Sequence, residues 1–234
     1  MKLEFEELIL GLDEFIVSNW SQFEAGKKYI EYQLVSSVRE YYEAEIAKSN
    51  SAVFDGTTNI KPESSEDVEN QIENYKDWRE KFNSDRVGYS LQKMDIEKLK
   101  EIHLYLMKIS LPGECGDFRN IPVNINGSRV QTSHPSEIED HLDEALRNFQ
   151  TSNMHPILNH IQFYCRFTQI HPFSEGNGRV IREISNNFFT ELGFYPGILP
   201  TSSNVNYRKA IRNADEGELE DLIEFFCNLI KDLV

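Results

Sequence analysis

The sequence predicts a mainly α-helical protein with one small β-hairpin. Apolar residues recur at the spacing of an amphipathic helix over most of the 234-residue chain. Aspartate, serine or proline stands where several of these stretches begin, and Gly193 follows the end of one of them. Residues 118–132 are the exception, because apolar and polar residues alternate there around Asn126-Gly127, a typical hairpin turn.

We predict two parts, an N-terminal helical arm over residues 1–62 and a core over residues 63–234. The arm has helical periodicity over residues 5–15 and 30–41, and the turn-forming residues 55–65 interrupt the pattern. In the core, helices are predicted over residues 68–78, 96–109, 136–149, 156–170, 179–192 and 218–233.

Charge and cysteine content exclude several classes of function. Lys and Arg number 24 and Asp and Glu 39, so the net charge of −15 argues against general binding to nucleic acid or to an anionic membrane. No apolar run is long enough to cross a bilayer. The odd number of cysteines, three, without C-x-x-C spacing disfavours disulfides and zinc sites. With no export signal at the N-terminus, we expect a cytoplasmic protein.

A histidine and a glycine-rich turn connect two predicted helices in the C-terminal half. Pro172 disfavours helix at the residue before it, so the apolar helix over residues 156–170 should end at His171. Gly176-Asn177-Gly178 then precedes the next helix, whose first turn holds Arg179 and Arg182. Unpaired backbone N–H groups, small residues and two arginines together predict a phosphate site.

The same turn holds a carboxylate four positions after the histidine. Glu175 could bind Mg²⁺ that also contacts a polyphosphate, while His171 could take a proton from an attacking hydroxyl. This arrangement indicates phosphoryl or nucleotidyl transfer. It fits neither a P-loop nor a dinucleotide-binding motif, which require a preceding strand.

Residues 171–182, with the sequence HPFSEGNGRVIR, resemble the signature of the Fic family, H-P-F-x-[DE]-G-N-G-R-x-x-R, at every defining position. The resemblance extends in pattern over about residues 86–230 and implies a Fic-fold helical bundle. It also implies a protein adenylyltransferase that moves AMP from ATP to a Ser, Thr or Tyr hydroxyl of a target protein. A homodimer is a further implication of the family.

The resemblance assigns a role to each motif position. His171 is similar to the general base and Glu175 to the Mg²⁺ ligand, while Arg182 is similar to the arginine that pairs with the γ-phosphate. The other residues assigned to nucleotide and phosphate binding are Gly176, Asn177, Gly178, Arg179 and Tyr207. Glycine at position 178 is typical of AMP transfer, since the branch resembling Doc has lysine there.

Two further segments acquire a function through the resemblance. The hairpin, with Ile121, Val123 and Ile125, would be a flap that aligns a target segment by main-chain pairing. Residues 51–56, SAVFDG, resemble the family's inhibitory motif, and include Ser51, Asp55 and Gly56. In that motif the acidic residue pairs with the second motif arginine, here Arg182, although this chain has aspartate in place of glutamate.

Two other functions are compatible with the same residues. The site could remove AMP from a modified protein, with Asp55 positioning the attacking water. Alternatively, the chain could be a nucleotide-sensing interaction module that binds ATP without transferring it. The presence of both His171 and Glu175 speaks against a pure binding module, because binding alone needs no base beside the phosphate.

Overall fold

The computed structural model of the chain describes residues 65–109, 111–125, 130–192 and 205–231. Within these ranges the chain forms seven α-helices and two short 3-10 helices, Leu91–Lys93 and Pro135–Glu137. The α-helices are α1 (Ser65–Ser84), α2 (Ile96–Met107), α3 (Ile138–Thr151), α4 (Pro156–Ile170), α5 (Asn177–Glu191), α6 (Val205–Asp215) and α7 (Glu220–Lys231). The predicted arm and its boundary with the core lie outside the described residues.

The apolar helix α4 lies at the centre of the bundle. It packs against α3, α5, α6 and α7, while α2 packs against both α1 and α5. Phe167 and Ile170, in the last turn of α4, are fully buried. The end of α4 is therefore fixed by the core, and the residues that follow it start from a rigid position. None of the helices in the described ranges has the length and hydropathy needed to span a bilayer.

The helices predicted in the core are confirmed; α1 begins three residues earlier and ends six residues later than predicted, and the other helices differ by at most two residues at each end. Asp95 begins α2, because its side chain accepts a hydrogen bond from the Lys98 N–H at 2.8 Å. The helix α4 covers residues 156–170 as predicted. The helix α5 begins two residues earlier than predicted, at Asn177, which places the glycine-rich turn directly at its N-terminus.

A buried carboxylate connects α1 to α5. Glu183 accepts hydrogen bonds from Trp78 Nε1 at 2.7 Å, from Arg79 at 2.9 Å and from the Tyr75 hydroxyl at 3.2 Å. Arg79 also donates to Asn187 at 2.7 Å. Because a buried charge is stable only when it is paired and hydrogen-bonded, this network fixes the rotation of α5 about its axis relative to α1.

The predicted β-hairpin is not confirmed, since the described residues contain no strand. Residues 121–125 and 130–133 instead meet in one antiparallel bridge between Asn124 and Gln131. Pro122 has no N–H to donate to a ladder. In addition, the carbonyls of Ile121 and Ser133 accept hydrogen bonds from the Arg119 side chain. These carbonyls are bonded to Arg119, which limits regular strand pairing at this end of the segment.

Candidate active site

His171 lies at the C-terminal end of α4 in an unusual backbone conformation. Its φ of 52° and ψ of 62° are left-handed, and among the described residues it is the only non-glycine residue with positive φ. This conformation costs a non-glycine residue about 1–2 kcal/mol. The His171 N–H donates to the Phe167 carbonyl at 3.0 Å, which closes the helix. Such strain is often found at functional sites.

Arg119 binds the backbone carbonyls of His171 and of its two neighbours. Its Nε donates to the His171 carbonyl at 2.7 Å, and its own N–H donates to the Pro172 carbonyl at 3.0 Å. The guanidinium also donates to the Ile170 carbonyl at 3.3 Å. The strained backbone is thus fixed by a residue far from it in sequence.

The His171 ring is partly buried, and this affects its protonation. Burial lowers the pKa of His171 below its ordinary value; the backbone of Thr168 acts to raise the pKa and the charge of Arg119 to lower it. Nδ1 is buried and meets the geometry of a hydrogen bond with no group in the described part of the chain. The ring is therefore neutral near pH 7, the form that can accept a proton.

His103 of α2 packs against the turn that follows His171. The two rings of His103 and Phe173 are stacked, with centroids 3.8 Å apart and planes 6° apart. Nδ1 of His103 accepts from the Gly116 N–H at 2.9 Å, so the proton lies on Nε2, which donates to the Glu175 carbonyl at 3.1 Å. Burial lowers the pKa of His103 to about 4, so the neutral ring persists at pH 7.

Asn177 closes the turn upon itself. Its side-chain oxygen accepts from the Phe173 N–H at 2.9 Å, and its side-chain nitrogen donates to the Phe173 carbonyl at 2.7 Å. The side chain is buried and both of its polar groups are used. Asn177 therefore shapes the turn, and a direct contact of its side chain with phosphate stays a prediction.

Gly176 allows the turn to enter α5. Its φ is 79°, and a Cβ at this position would lie 2.8 Å from Met107 Sδ. The Arg179 and Val180 N–H groups donate to the Gly176 carbonyl at 2.9 and 3.0 Å, so the two N–H groups before them, of Asn177 and Gly178, have no backbone acceptor among the described residues. No acidic residue occupies the first turn of α5, so its positive end is not neutralised there.

The two motif arginines have different surroundings. Arg179 lies next to the turn and donates to Met107 Sδ at 2.9 Å. Arg182, one turn further along α5, hydrogen-bonds to the Tyr207 side chain, and the hydroxyls of Tyr207 and Tyr164 are also in contact. Burial raises the pKa of Tyr207, which is only 4% exposed. Tyr207 thus supports Arg182 from α6 and exposes little ring surface to an adenine.

Glu175 carries the exposed carboxylate of the turn. In the described part of the chain no three His, Cys, Asp or Glu side chains converge as a metal site. A single carboxylate next to a phosphate site nevertheless fits Mg²⁺, because this ion takes most of its ligands from phosphates and water. Glu175 is the residue of the turn that would hold it.

The remaining predicted site residues are only partly described. Ile121 is 59% exposed and Val123 and Ile125 are half-buried, so apolar surface is available on this segment. Ser51, Asp55 and Gly56 lie outside the described residues.

Residues 93–189 match the model of the Fic/DOC family. The chain is 27% identical over 143 residues to a protein from Drosophila ananassae named "Protein adenylyltransferase Fic", and 26% identical over 134 residues to a protein of the same name from Aedes aegypti. These matches take in 59% and 57% of this chain but only 28% and 27% of the relatives. The chain therefore covers little more than a quarter of their length.

Two solved structures have the same fold. A fragment of Fic-1 from C. elegans aligns with a TM-score of 0.71 and 18% identity, over 99% of this chain and 71% of the fragment. A Fic family protein from Desulfovibrio desulfuricans G20 aligns with a TM-score of 0.68 and 17% identity, over 97% of this chain and 72% of that one. These structures show that the chain has the fold of Fic-family proteins, and the match to the Fic/DOC model covers the motif at residues 171–182.

Sequence reasoning missed two residues of the site. No motif in the sequence singles out His103 or Arg119. Neither has a spacing relation to the motif, because each contacts it from about 50 to 70 positions away in the chain. A signal for Arg119 could have been its position at the start of the alternating segment.

Proposed function

We propose that this chain is a protein adenylyltransferase, which transfers AMP from ATP to a Ser, Thr or Tyr hydroxyl of a target protein. The observation that carries the proposal is the turn between α4 and α5. It joins a neutral, partly buried histidine in a fixed backbone to a helix N-terminus with unpaired N–H groups. Such a turn suits a base and an anion side by side.

The reaction uses these two groups together. The neutral ring of His171 takes the proton of the target hydroxyl, whose oxygen forms a bond to the α-phosphorus of ATP. The bond between the α-phosphorus and the bridging oxygen breaks, and pyrophosphate leaves. The first N–H groups of α5 and the side chains of Arg179 and Arg182 bind the phosphates and stabilise the negative charge that develops.

We also propose that the reaction depends on Mg²⁺ held by Glu175. The ion, when bound, neutralises phosphate charge and assists the departure of pyrophosphate. The exposed carboxylate of Glu175 supports this role, and the hydrogen bond from His103 to the Glu175 carbonyl fixes the backbone from which that carboxylate extends.

The N-terminal segment 51–56 would restrain the activity. The Asp55 carboxylate would pair with Arg182 and prevent the γ-phosphate from occupying its site. The contact of Arg182 with Tyr207 supports this proposal, because it holds the guanidinium in place and a guanidinium can bind a carboxylate or a phosphate in the same way. Residues 121–125 would align the target segment by main-chain pairing.

Label transfer from ATP tagged at the α-phosphate, with a cell lysate as the source of targets, tests the proposal. We expect labelled protein with Asp55→Gly and no label with the Asp55→Gly/His171→Ala variant. The matched control Asp55→Gly/His134→Ala changes an exposed histidine and should label as well as Asp55→Gly. Equal labelling with and without His171 would refute its role as the base. Loss of label from a pre-modified protein would instead indicate AMP removal.

A further inference from the structure

We propose that Arg119 is a positioning residue that holds the backbone of His171 and the two ends of residues 121–133 in one fixed arrangement. The inference rests on the proposed function, in which His171 acts on a target aligned by this segment. Its consequence is that the base and the docked target segment keep a constant position relative to each other.

The hydrogen bonds of Arg119 join three segments. Nε reaches the His171 carbonyl at 2.7 Å and another guanidinium nitrogen reaches the Ile170 carbonyl at 3.3 Å, both at the end of α4. The same guanidinium donates to the Ile121 carbonyl at 2.8 Å and to the Ser133 carbonyl at 2.5 Å. These two carbonyls flank the segment predicted to dock the target, so one side chain holds both of its ends.

The surroundings of Arg119 make this arrangement rigid. The residue is 5% exposed, and all of its identified acceptors in the described part of the chain are backbone carbonyls. Carbonyls at the C-terminal end of α4 carry the negative end of the helix dipole, which favours a cation there. The buried charge is thus stabilised by the backbone itself, and any movement of these carbonyls would leave it unsatisfied.

A lysine could not replace this residue. Its ammonium is a point charge on a flexible chain, whereas the planar guanidinium donates in several fixed directions at once. Without those bonds, the left-handed conformation of His171 would lose the contact that holds its carbonyl. Both ends of the segment would then become free to move relative to α4.

Hydrogen exchange of the full chain tests the inference without any need for activity. In Arg119→Lys we expect faster exchange in peptides covering 119–133 and 168–174, by about tenfold or more, and unchanged exchange in α6 and α7. The control Arg147→Lys changes an exposed arginine of α3 and should leave all four regions unchanged. Faster exchange in only one of the two peptides, or in neither, would overturn the proposed coupling.

Label transfer provides the functional readout. In Arg119→Lys the labelling rate should fall by about tenfold or more, because a small displacement of a base is costly, while the ATP concentration for half-maximal labelling should stay within about twofold. In Arg119→Ala, added guanidinium should restore part of the rate, and the same concentration of methylammonium should not. A rise in the ATP concentration for half-maximal labelling as large as the fall in rate, or rescue by both guanidinium and methylammonium, would contradict a positioning role. If the parent chain and Asp55→Gly transfer no label, the proposed function fails, and hydrogen exchange alone decides on Arg119.

Discussion

Replacing Gly176 with alanine should both destabilise the protein and weaken nucleotide binding. With φ at 79°, an alanine here adopts a left-handed conformation that costs about 1–2 kcal/mol. Its Cβ would lie 2.8 Å from Met107 Sδ and 3.0 Å from Met107 Cγ, well inside the contact distance of about 3.5–4.0 Å. Met107 is buried and cannot move aside freely, so such overpacking costs about 1–3 kcal/mol more.

Gly217→Ala is a matched control for the cost of the left-handed backbone conformation. The φ of Gly217 is 92°, close to that of Gly176, but a Cβ there would have no neighbour within 4 Å. Gly217→Ala should therefore cost only about 1–2 kcal/mol and leave nucleotide binding unchanged. The difference between the two variants measures the contact with Met107.

Urea unfolding and calorimetric titration with ATP measure the two effects. We expect Gly176→Ala to lose about 2–5 kcal/mol of unfolding free energy and to bind ATP more weakly. The double variant Gly176→Ala/Met107→Ala should lose less than the sum of the single losses, because removing Met107 relieves the overlap. If Gly176→Ala is no more destabilised than Gly217→Ala, the close packing of the turn on α2 would be refuted.

Three other predictions concern inhibition, metal and pH. Asp55→Gly should raise the rate of label transfer by removing the proposed partner of Arg182; a rate equal to that of the parent would refute the inhibition. Glu175→Ala should raise the Mg²⁺ concentration needed for half-maximal transfer, whereas the control Glu114→Ala, which changes an exposed glutamate, should not. Coinciding Mg²⁺ titration curves for the parent and Glu175→Ala would exclude Glu175 as the ligand. Burial lowers the pKa of His160 from 6.5 to about 3, so between these values the unfolded chain binds a proton that the folded chain does not. The free energy of unfolding should therefore fall as pH falls below about 6.5, and His160 contributes about 1.4 kcal/mol per pH unit at most. Urea unfolding measured at a series of pH values should show a shallower decline for His160→Asn than for the parent. Parallel curves for the two proteins would contradict this account.

The helices could be predicted because local signals and the core agree. Pro172 indicated the end of α4 through a steric restriction on the preceding residue, and the helix does end at Ile170. The left-handed conformation of His171 could not be predicted in this way. It depends on Arg119, which approaches from a distant part of the chain.

The residues of the motif were identified from the sequence, but part of their structural use was not. The resemblance assigns Asn177 to phosphate binding; its side chain bonds twice to Phe173, and its contact with phosphate stays a prediction. Tyr207 is assigned by the resemblance to nucleotide binding; it is buried beside Arg182, and its contact with nucleotide stays a prediction. In both cases residue type and spacing identify a site, while the direction of a side chain is decided by neighbours from other helices. The cytoplasmic location and the homodimer stay predictions.

The hairpin stays a prediction, because its turn, residues 126–129, lies outside the described residues. Alternation and the Asn126-Gly127 turn favoured two paired strands, but the described residues contain one bridge between Asn124 and Gln131. The Arg119 guanidinium donates hydrogen bonds to the Ile121 and Ser133 carbonyls, one at each end of the segment. These two carbonyls are therefore not available to a ladder at the open end of the predicted hairpin.

The most direct test of AMP transfer compares ATP tagged at the α-phosphate with ATP tagged at the γ-phosphate. Asp55→Gly, incubated with Mg²⁺ and lysate, should label protein from the α-tagged nucleotide alone, with one pyrophosphate released for each label, and Asp55→Gly/His171→Ala should do neither. Label from the γ-tagged nucleotide would show phosphoryl transfer, and pyrophosphate release without labelled protein would show hydrolysis. Either result would contradict the account.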